Sequence, residues 1–209
     1  KSGKKILFIS TFDKKIFNYF KLKYKKKSLK ILSNDYLKIN KKDPNQFMIQ
    51  ESILKANFKN LKKKIGTFDI IVSCRMLEHT YRLKKFIGKL EILLKKEGEF
   101  IFEIPDSYKS LSQGDVAMLW EEHPLYFTKK TFSLAMLSLG YEVKHYKKYN
   151  YPQEDALIFF LKKSDKKLNL NNFSKASETK LSNLFAEKLN KHAIKIKKLL
   201  NIALKKKKL

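Results

Sequence analysis

The sequence predicts an α/β fold built on a mostly parallel sheet with helices on both faces. Short apolar segments rich in β-branched residues, such as FDIIVSC (Phe68–Cys74), have the composition of strands buried on both faces. Segments with apolar residues at helical spacing alternate with them, as in residues 81–95. This alternation of strands and helices is typical of a parallel sheet covered by helices.

Seven segments have the pattern of a strand, and they occupy residues 4–10, 29–33, 46–50, 68–74, 99–105, 141–146 and 155–163. Helical spacing covers residues 13–24, residues 81–95 ahead of Gly98, and residues 128–139 ahead of Gly140. No helical segment separates the last two strands, so we expect them to pair antiparallel. The sequence therefore predicts seven strands, with the last one antiparallel to the others.

Three regions are predicted along the chain. Residues 1–162 form the α/β domain, residues 163–175 are polar without periodicity and form a linker, and residues 176–209 form a basic C-terminal helix with a tail. Residues 161–209 contain 15 lysines and three acids. The helix has an apolar stripe, and such stripes most often pack on their own domain or on a second copy of the chain, so a homodimer through this helix is one expectation.

The charge of the chain has two explanations. The formal net charge is +27, which indicates an affinity for anionic partners. Only two of the 47 basic residues are arginine, the residue favoured for phosphate and base contacts, so an AT-rich genome explains the lysines more simply than nucleic-acid binding does. The single cysteine, Cys74, fits a cytoplasmic protein, and no apolar run is long enough to span a bilayer.

Polar residues that follow the predicted strands are candidates for a binding site, because ligands of such sheets bind at the carboxyl ends of the strands. Asp35 follows the second strand and can accept hydrogen bonds from a ribose, although a helix cap is the alternative interpretation. Glu51 and Ser52 follow the third strand, where they can meet an adenine amino group. CRMLEH follows the fourth strand, and its Glu78 and His79 have the pattern of a helix cap.

A longer connection follows the fifth strand and contains LWEEHPLYFT, residues 119–128. Long connections of this kind often form the wall of a substrate site. Glu122 can orient the imidazole of His123 and raise its basicity, and Tyr126 can line a pocket or bind a substrate. The alternative is a surface loop whose aromatic residues only pack on the sheet.

Residues 4–162 resemble the class I S-adenosylmethionine-dependent methyltransferases, which have a Rossmann-like fold. The resemblance rests on FDIIVSCRMLEH, LLKKEGEFIFEIP and WEEHPLYFTKKTF with the later LGYEV. The third segment is similar to a Tyr-His-Glu-His stretch followed by Tyr-Phe-Ser/Thr in the sugar C-methyltransferases that act on nucleotide-linked deoxysugars. Trp120 stands where that group has tyrosine.

The resemblance implies S-adenosylmethionine as the cofactor and methyl transfer to a small anionic acceptor, a sugar or nucleotide-sugar of surface-glycan biosynthesis. It implies that His123 is the general base, with Glu122 as its neighbouring acid and Tyr126 beside it. The cofactor-binding residues that it implies are Ser10 and Asp13 in the first loop, Asp35 at the ribose, Glu51 and Ser52 on the adenine side, and Cys74, Arg75 and Met76 at the methionine part.

The sequence departs from the family in its first loop. Residues 8–14 read FISTFDK and lack both glycines that let the family's backbone approach the cofactor. Besides the hypothesis of an active enzyme, two further hypotheses are therefore considered. One is a methyltransferase-like module that binds without catalysis, and the other is a binder of RNA or of a membrane surface that uses the C-terminal helix.

Overall fold

The computed structural model describes residues 3–9, 17–19, 22, 29–32, 37–39, 46–119, 122–152, 154–166 and 175–206. The strands are β1 (Ile6–Phe8), β2 (Leu29–Ile31), β3 (Phe68–Cys74), β4 (Leu94–Pro105), β5 (Tyr141–Tyr149) and β6 (Ala156–Lys163). The helices are α1 (Gln46–Lys55), α2 (Phe58–Ile65), α3 (Leu83–Glu91), α4 (Ser107–Gln113), α5 (Lys129–Ser138) and α6 (Ala176–Lys206). Within these residues, no helix has both the length and the apolar composition needed to cross a bilayer.

Across the described ranges the strands form one six-stranded sheet in the order β2-β1-β3-β4-β6-β5. The first four strands in this order are parallel to one another, and β6 is antiparallel to both β4 and β5. The predictions of a mostly parallel sheet and of an antiparallel last strand are therefore confirmed. The parallel arrangement brings the carboxyl ends of β1, β2, β3 and β4 to one edge of the sheet.

The predicted third strand is wrong, because residues 46–50 begin helix α1. Ile49 and Ile53 are one helical turn apart, and both are buried in the core. A short apolar run has no period of its own that separates a strand from a helix, and here the apolar positions that follow it continue at helical spacing. The described sheet consequently has six strands instead of the predicted seven.

The helix predicted for residues 81–95 is shorter than expected. It ends at Glu91, and β4 begins at Leu94 and runs through Gly98, which was predicted to end the helix. Leu94 pairs with Phe68 of β3, and the register between the two strands shifts between Phe68 and Ile70. Pairing with a central strand thus draws residues 94–98 into the sheet, whereas their sequence alone has a helical pattern.

Successive residues of the strands pack into two separate clusters. Leu7, Ile9 and Ile71 belong to the larger cluster, which includes buried residues of α1, α2, α3 and α5. Ile6 and Phe8 belong to a smaller cluster that also contains Phe17. Side chains alternate between the faces of a strand, so both faces of the central sheet are packed, as a strand of uniformly apolar composition predicts.

The first half of α6 packs on the domain. Leu181 is buried, Glu178 accepts a hydrogen bond from Thr128 Oγ1 (3.3 Å), and Lys188 Nζ donates to the Ser112 carbonyl (2.6 Å). Gly114, at the end of α4, allows this approach, since a Cβ there would overlap the Lys188 side chain. The prediction of a long C-terminal helix is confirmed, and its first half lies on α4 and on the start of α5.

The second half of α6 is exposed throughout the described residues 190–205. Six large apolar side chains there are more than half exposed: Ile194, Ile196, Leu199, Leu200, Ile202 and Leu204. Residues 188–209 contain nine lysines and no acid. This half of the helix therefore presents a surface that is apolar and strongly basic at once.

Candidate functional site

The carboxyl end of β3 is the centre of the candidate site. The Cys74 thiol is buried there, and Arg75 turns the chain with a φ of +51°, a left-handed conformation that is uncommon for a residue other than glycine. The Arg75 N–H donates to the Glu103 carbonyl at the end of β4 (2.9 Å). Met76 is fully buried, and its carbonyl accepts a hydrogen bond from the Gln50 side chain of α1.

The Arg75 side chain is held by two acids. Its Nη1 lies 2.8 Å from Glu154 Oε2 and its Nε lies 3.4 Å from Glu103 Oε1. Burial lowers the pKa of the Arg75 guanidinium, but the hydrogen bond and charge of Glu154 outweigh this effect and raise the pKa overall. Arg75 therefore fixes the ends of β3, β4 and the segment before β6 relative to one another, and it stays charged.

A single 3₁₀ turn, Leu77–His79, follows Met76 and buries both Glu78 and His79. Two hydrogen bonds join this turn to the connection that precedes α5. The Leu125 N–H donates to the Glu78 carbonyl (3.2 Å), and Nδ1 of His79 lies 2.9 Å from the Glu122 carbonyl oxygen. A carbonyl can only accept, so Nδ1 of His79 carries a proton and donates it to this bond.

This attachment places two imidazoles against each other. The rings of His79 and His123 meet edge to face with their centroids 4.5 Å apart, and the ring of Tyr126 lies 6.4 Å from that of His123. Burial lowers the pKa of both histidines; the neighbouring imidazole lowers that of His79 further, and Arg75 lowers that of His123. Both rings therefore favour the neutral form, and a neutral imidazole is able to accept a proton.

The carboxyl group of Glu78 lies beside this pair. Burial raises the pKa of Glu78 to about 7, although the charge of Arg75 opposes the rise. Its Oε1 lies 4.0 Å from Nε2 of His79. A buried acid, a buried imidazole and a half-buried imidazole thus share one small region at the edge of the sheet, the kind of environment in which enzymes perturb side-chain pKa values.

The structure brings together some of the predicted site residues. Cys74, Arg75, Met76, Glu122, His123 and Tyr126 all lie at the carboxyl edge around the end of β3. The backbone carbonyl of Glu122 accepts a hydrogen bond from His79 and thereby orients that imidazole. The predicted effect of the Glu122 carboxylate on His123 stays a prediction.

Glu51 and Ser52 are placed differently from the prediction, since they lie in the middle of α1 and do not follow a strand. Glu51 forms an exposed ion pair with Lys55, 3.5 Å apart and one helical turn away. Ser52 lines a cleft of 740 Å³ together with Leu37, Lys38, Lys55, Ala56, Asn57, Asn60, Leu61, Lys63 and Lys64. Ser10, Asp13, Asp35 and Trp120 lie outside the described residues.

Glu78 and His79 were not predicted to be members of the site. Both had the pattern of a helix cap, and Glu122, the hydrogen-bond partner of His79, is 43 residues away from it in the sequence. The signal that was present is their position, directly after a buried central strand, where parallel sheets place functional groups. Only the folded connection shows that the two histidines meet.

Comparison with known families identifies part of the chain. Residues 13–102 match the family model of the Methyltransferase domain, slightly less than half of the sequence. This segment is therefore similar to a methyltransferase domain. The match includes β2, β3 and most of β4, and it ends before the connection that carries His123. No curated protein matches the chain significantly in sequence.

Solved structures of methyltransferases share the fold of this chain. The 1,6-didemethyltoxoflavin-N1-methyltransferase of Burkholderia thailandensis is 12% identical, with a TM-score of 0.50 over 78% of this chain and 72% of that protein. A Listeria monocytogenes protein described as an S-adenosylmethionine-dependent methyltransferase is 14% identical, with a TM-score of 0.50 over 78% of this chain and 92% of that protein. At these identities the likeness concerns the fold.

The domain match and the fold agree with the sequence prediction at one level. The predicted Rossmann-like fold is confirmed, and the match of residues 13–102 supports the predicted class, an S-adenosylmethionine-dependent methyltransferase. The narrower resemblance to sugar C-methyltransferases, the kind of acceptor and the roles of individual residues stay predictions.

Proposed function

We propose that the chain transfers a methyl group from S-adenosylmethionine to a small anionic acceptor, a sugar or nucleotide-linked sugar, with His123 as the general base. The observation that carries this proposal is the contact between His79 and His123 at the carboxyl end of β3, a strand within the segment that matches a methyltransferase domain. Two imidazoles that favour the neutral form lie there beside backbone that turns sharply at Arg75. A base at this edge lies where parallel sheets bind their ligands.

The proposed reaction is a single displacement. S-adenosylmethionine supplies an electrophilic methyl group when it is bound. The imidazole of His123 removes a proton from the acceptor, and the electron pair released on the acceptor's oxygen or carbon forms the new bond to the methyl carbon. The bound cofactor would release S-adenosylhomocysteine, whose sulfur retains the electron pair of the broken carbon–sulfur bond. His79, fixed by the Glu122 carbonyl, holds the His123 ring from its side.

The described residues at the end of β3 support the cofactor assignment. The backbone from Cys74 to Met76 runs along the carboxyl edge, where the resemblance places the methionine part of the cofactor, and the positive φ of Arg75 marks a strained backbone of the kind found at ligand sites. Ser10, Asp13 and Asp35 are proposed to complete the site on the nucleoside side. Glu51 and Ser52 are proposed to act on the adenine side from helix α1.

The anionic character of the acceptor is supported by charge. The formal net charge of +27 attracts anions to the whole surface, and a diphosphate is the handle that nucleotide-linked sugars carry. Arg75 is not proposed to bind this handle, because Glu103 and Glu154 already neutralise it.

Calorimetric titration of the full chain with S-adenosylmethionine tests the cofactor assignment. We expect saturable binding with a dissociation constant in the range of about 1 μM to 1 mM, which is usual for enzyme substrates. S-adenosylhomocysteine should compete, whereas methionine alone should not. Absence of heat at millimolar cofactor would count against catalysis and favour the non-catalytic methyltransferase-like module.

A second candidate function is supported by the exposed half of α6. Its apolar side chains and its lysines lie on a helix that extends beyond the domain, and such basic amphipathic helices bind anionic membrane surfaces. The absence of acids after Glu187 disfavours pairing with a second copy, since nine lysines on each chain would repel. The predicted homodimer is therefore the alternative occupant of this surface.

Vesicle sedimentation separates these partners. We expect the chain to bind vesicles of phosphatidylcholine and phosphatidylglycerol, and to bind vesicles of phosphatidylcholine alone at least about tenfold more weakly, because each lysine near an anionic surface contributes about 1 kcal/mol. Leu200→Glu should reduce binding, and Tyr151→Ala, at an exposed position on the domain, is the control. Equal binding to both vesicles would oppose the membrane function, and a dimer that Leu200→Glu dissociates would favour the second copy.

A further inference from the structure

Glu78, His79 and His123 share one region of the site, and the first two are buried. One ligand atom from each of them, a carboxylate oxygen and two imidazole nitrogens, lies within 4.8 Å of the others. We propose that these three residues bind a divalent transition-metal ion of the zinc class, and that the ion competes with the proton for His123. The second half of this proposal rests on the proposed function of His123, whereas metal binding itself does not.

The hydrogen bond of His79 prepares it as a ligand. Nδ1 donates to the Glu122 carbonyl (2.9 Å), so the lone pair of the neutral ring is on Nε2, the nitrogen on the side of Glu78. Metal-bound histidines characteristically donate their other ring nitrogen to a carbonyl or carboxylate in this way, which fixes both the tautomer and the ring orientation. The Glu122 carbonyl is thus a positioning group for the proposed ligand.

Glu78 offers a buried carboxylate oxygen to a metal ion. The Glu78 side chain is 1% exposed, and Oε2 has no hydrogen-bond partner among the described residues. A buried polar atom without a partner is costly, so such an atom in a folded protein needs an explanation. A cation held between Glu78 and the histidine nitrogens would provide one.

The surrounding charges favour a cation. Glu78, Glu103 and Glu154 interact with one another in this region, and Arg75 is the positive charge that balances them there. When Glu78 is ionised, these four groups carry a net charge of −2. A divalent cation would neutralise this net charge of −2, whereas a bound anion would make it more negative.

The ligand atoms can bind the ion after small rotations of their side chains. Zinc bonds of about 2.0–2.2 Å to nitrogen and oxygen place tetrahedral ligands about 3.4 Å apart. Nε2 of His79 and Oε1 of Glu78 are 4.0 Å apart, and the three ligand atoms lie within 4.8 Å of one another, so rotations that move each atom by up to about 1 Å are enough. Three protein ligands leave a fourth position for water or an acceptor oxygen.

Two imidazoles in the set select the kind of metal. Zinc, cobalt, nickel and copper bind imidazole well, whereas calcium and magnesium prefer sets made of oxygen atoms. A metal bound to His123 uses the lone pair that would accept the acceptor's proton. Occupancy of the site should therefore lower methyl transfer, and removal of the metal should restore it.

Titration of the chelator-treated full chain with Co²⁺ tests the binding directly, in the absence of S-adenosylmethionine. We expect visible absorption bands that saturate at one ion per chain, and Zn²⁺ should abolish them by displacement. His123→Ala and Glu78→Gln should each weaken Co²⁺ binding by about 100-fold or more, since even the loss of a residue that supports a ligand costs 10–100-fold. His145→Ala, an exposed histidine outside the cluster, should leave the titration unchanged.

The variants distinguish the possible outcomes. Glu78 is buried, so its variant is compared with the parent chain by thermal unfolding, and the half-buried His123 supplies a second variant if Glu78→Gln does not fold. Co²⁺ binding that is absent, or that is equal in His123→Ala, would overturn the proposal. Binding of Co²⁺ without binding of S-adenosylmethionine would support the metal site and refute the proposed enzyme. Binding of S-adenosylmethionine without binding of Co²⁺ would refute the metal site and support the proposed enzyme.

Discussion

Replacing His123 with alanine is expected to lower kcat of methyl transfer by about 10²–10⁴-fold, the range that a positioned general base contributes. The ring of His123 touches that of His79 with the centroids 4.5 Å apart, and burial and Arg75 keep it in the neutral form that accepts a proton. The proposed cofactor contacts lie on other residues. The dissociation constant of S-adenosylmethionine should therefore change by less than about threefold, well below 1.4 kcal/mol.

The assay measures turnover and cofactor binding on the same preparation, in buffer with a chelator and with nucleotide-linked sugars as acceptors. His145→Ala is the matched control, because His145 is exposed on β5 and lies outside the site. A kcat within about threefold of the parent would refute His123 as the base. A parallel loss of cofactor binding would instead indicate that the substitution damages the site as a whole.

Replacing Phe132 with alanine is expected to lower the free energy of unfolding by about 3–5 kcal/mol, the usual cost of removing a buried phenylalanine ring. Phe132 is fully buried on α5. Its ring stacks on Phe159 of β6 with the centroids 4.3 Å apart and meets Phe127 edge to face at 5.3 Å. The substitution leaves a cavity between α5 and the sheet that the surrounding rings fill only in part.

Urea unfolding followed by circular dichroism measures this effect, as a lower midpoint with an unchanged slope. Tyr151→Ala removes an aromatic side chain that is 54% exposed and should change stability by less than about 0.5 kcal/mol. A loss smaller than about 1 kcal/mol for Phe132→Ala would show that α5 does not pack on the sheet as described.

The sequence predicted elements well where a segment has one pattern. FDIIVSC is a strand over its whole predicted length, because five of its seven residues are apolar and three of these are β-branched, the composition of a strand buried on both faces. Residues 46–50 were assigned wrongly because five residues do not establish a period, and the burial of Ile53 decides in favour of a helix. Residues 94–98 joined the sheet because Leu94 pairs with Phe68, a partner that local sequence does not reveal.

Some residues of the candidate site were likewise predicted from the sequence, and others were not. His123 was found from residue types, since acid, imidazole and phenol are concentrated in residues 119–128 of a lysine-rich chain. Glu78 and His79 were not found, because their importance comes from hydrogen bonds to residues more than 40 positions away. Patterns in sequence report local preferences, whereas contacts between distant segments depend on the packed sheet.

By itself, the sequence determined the α/β class, the parallel sheet with an antiparallel last strand, the long basic helix and the segment that contains His123. These follow from composition and periodicity, which act over a few neighbouring residues. The tertiary structure decided that residues 46–50 are helical, that the sheet has six strands in the described ranges, and that Glu78, His79 and His123 meet. Burial and pairing between distant segments determine these features, because each residue there gains its contacts only when the whole sheet has formed.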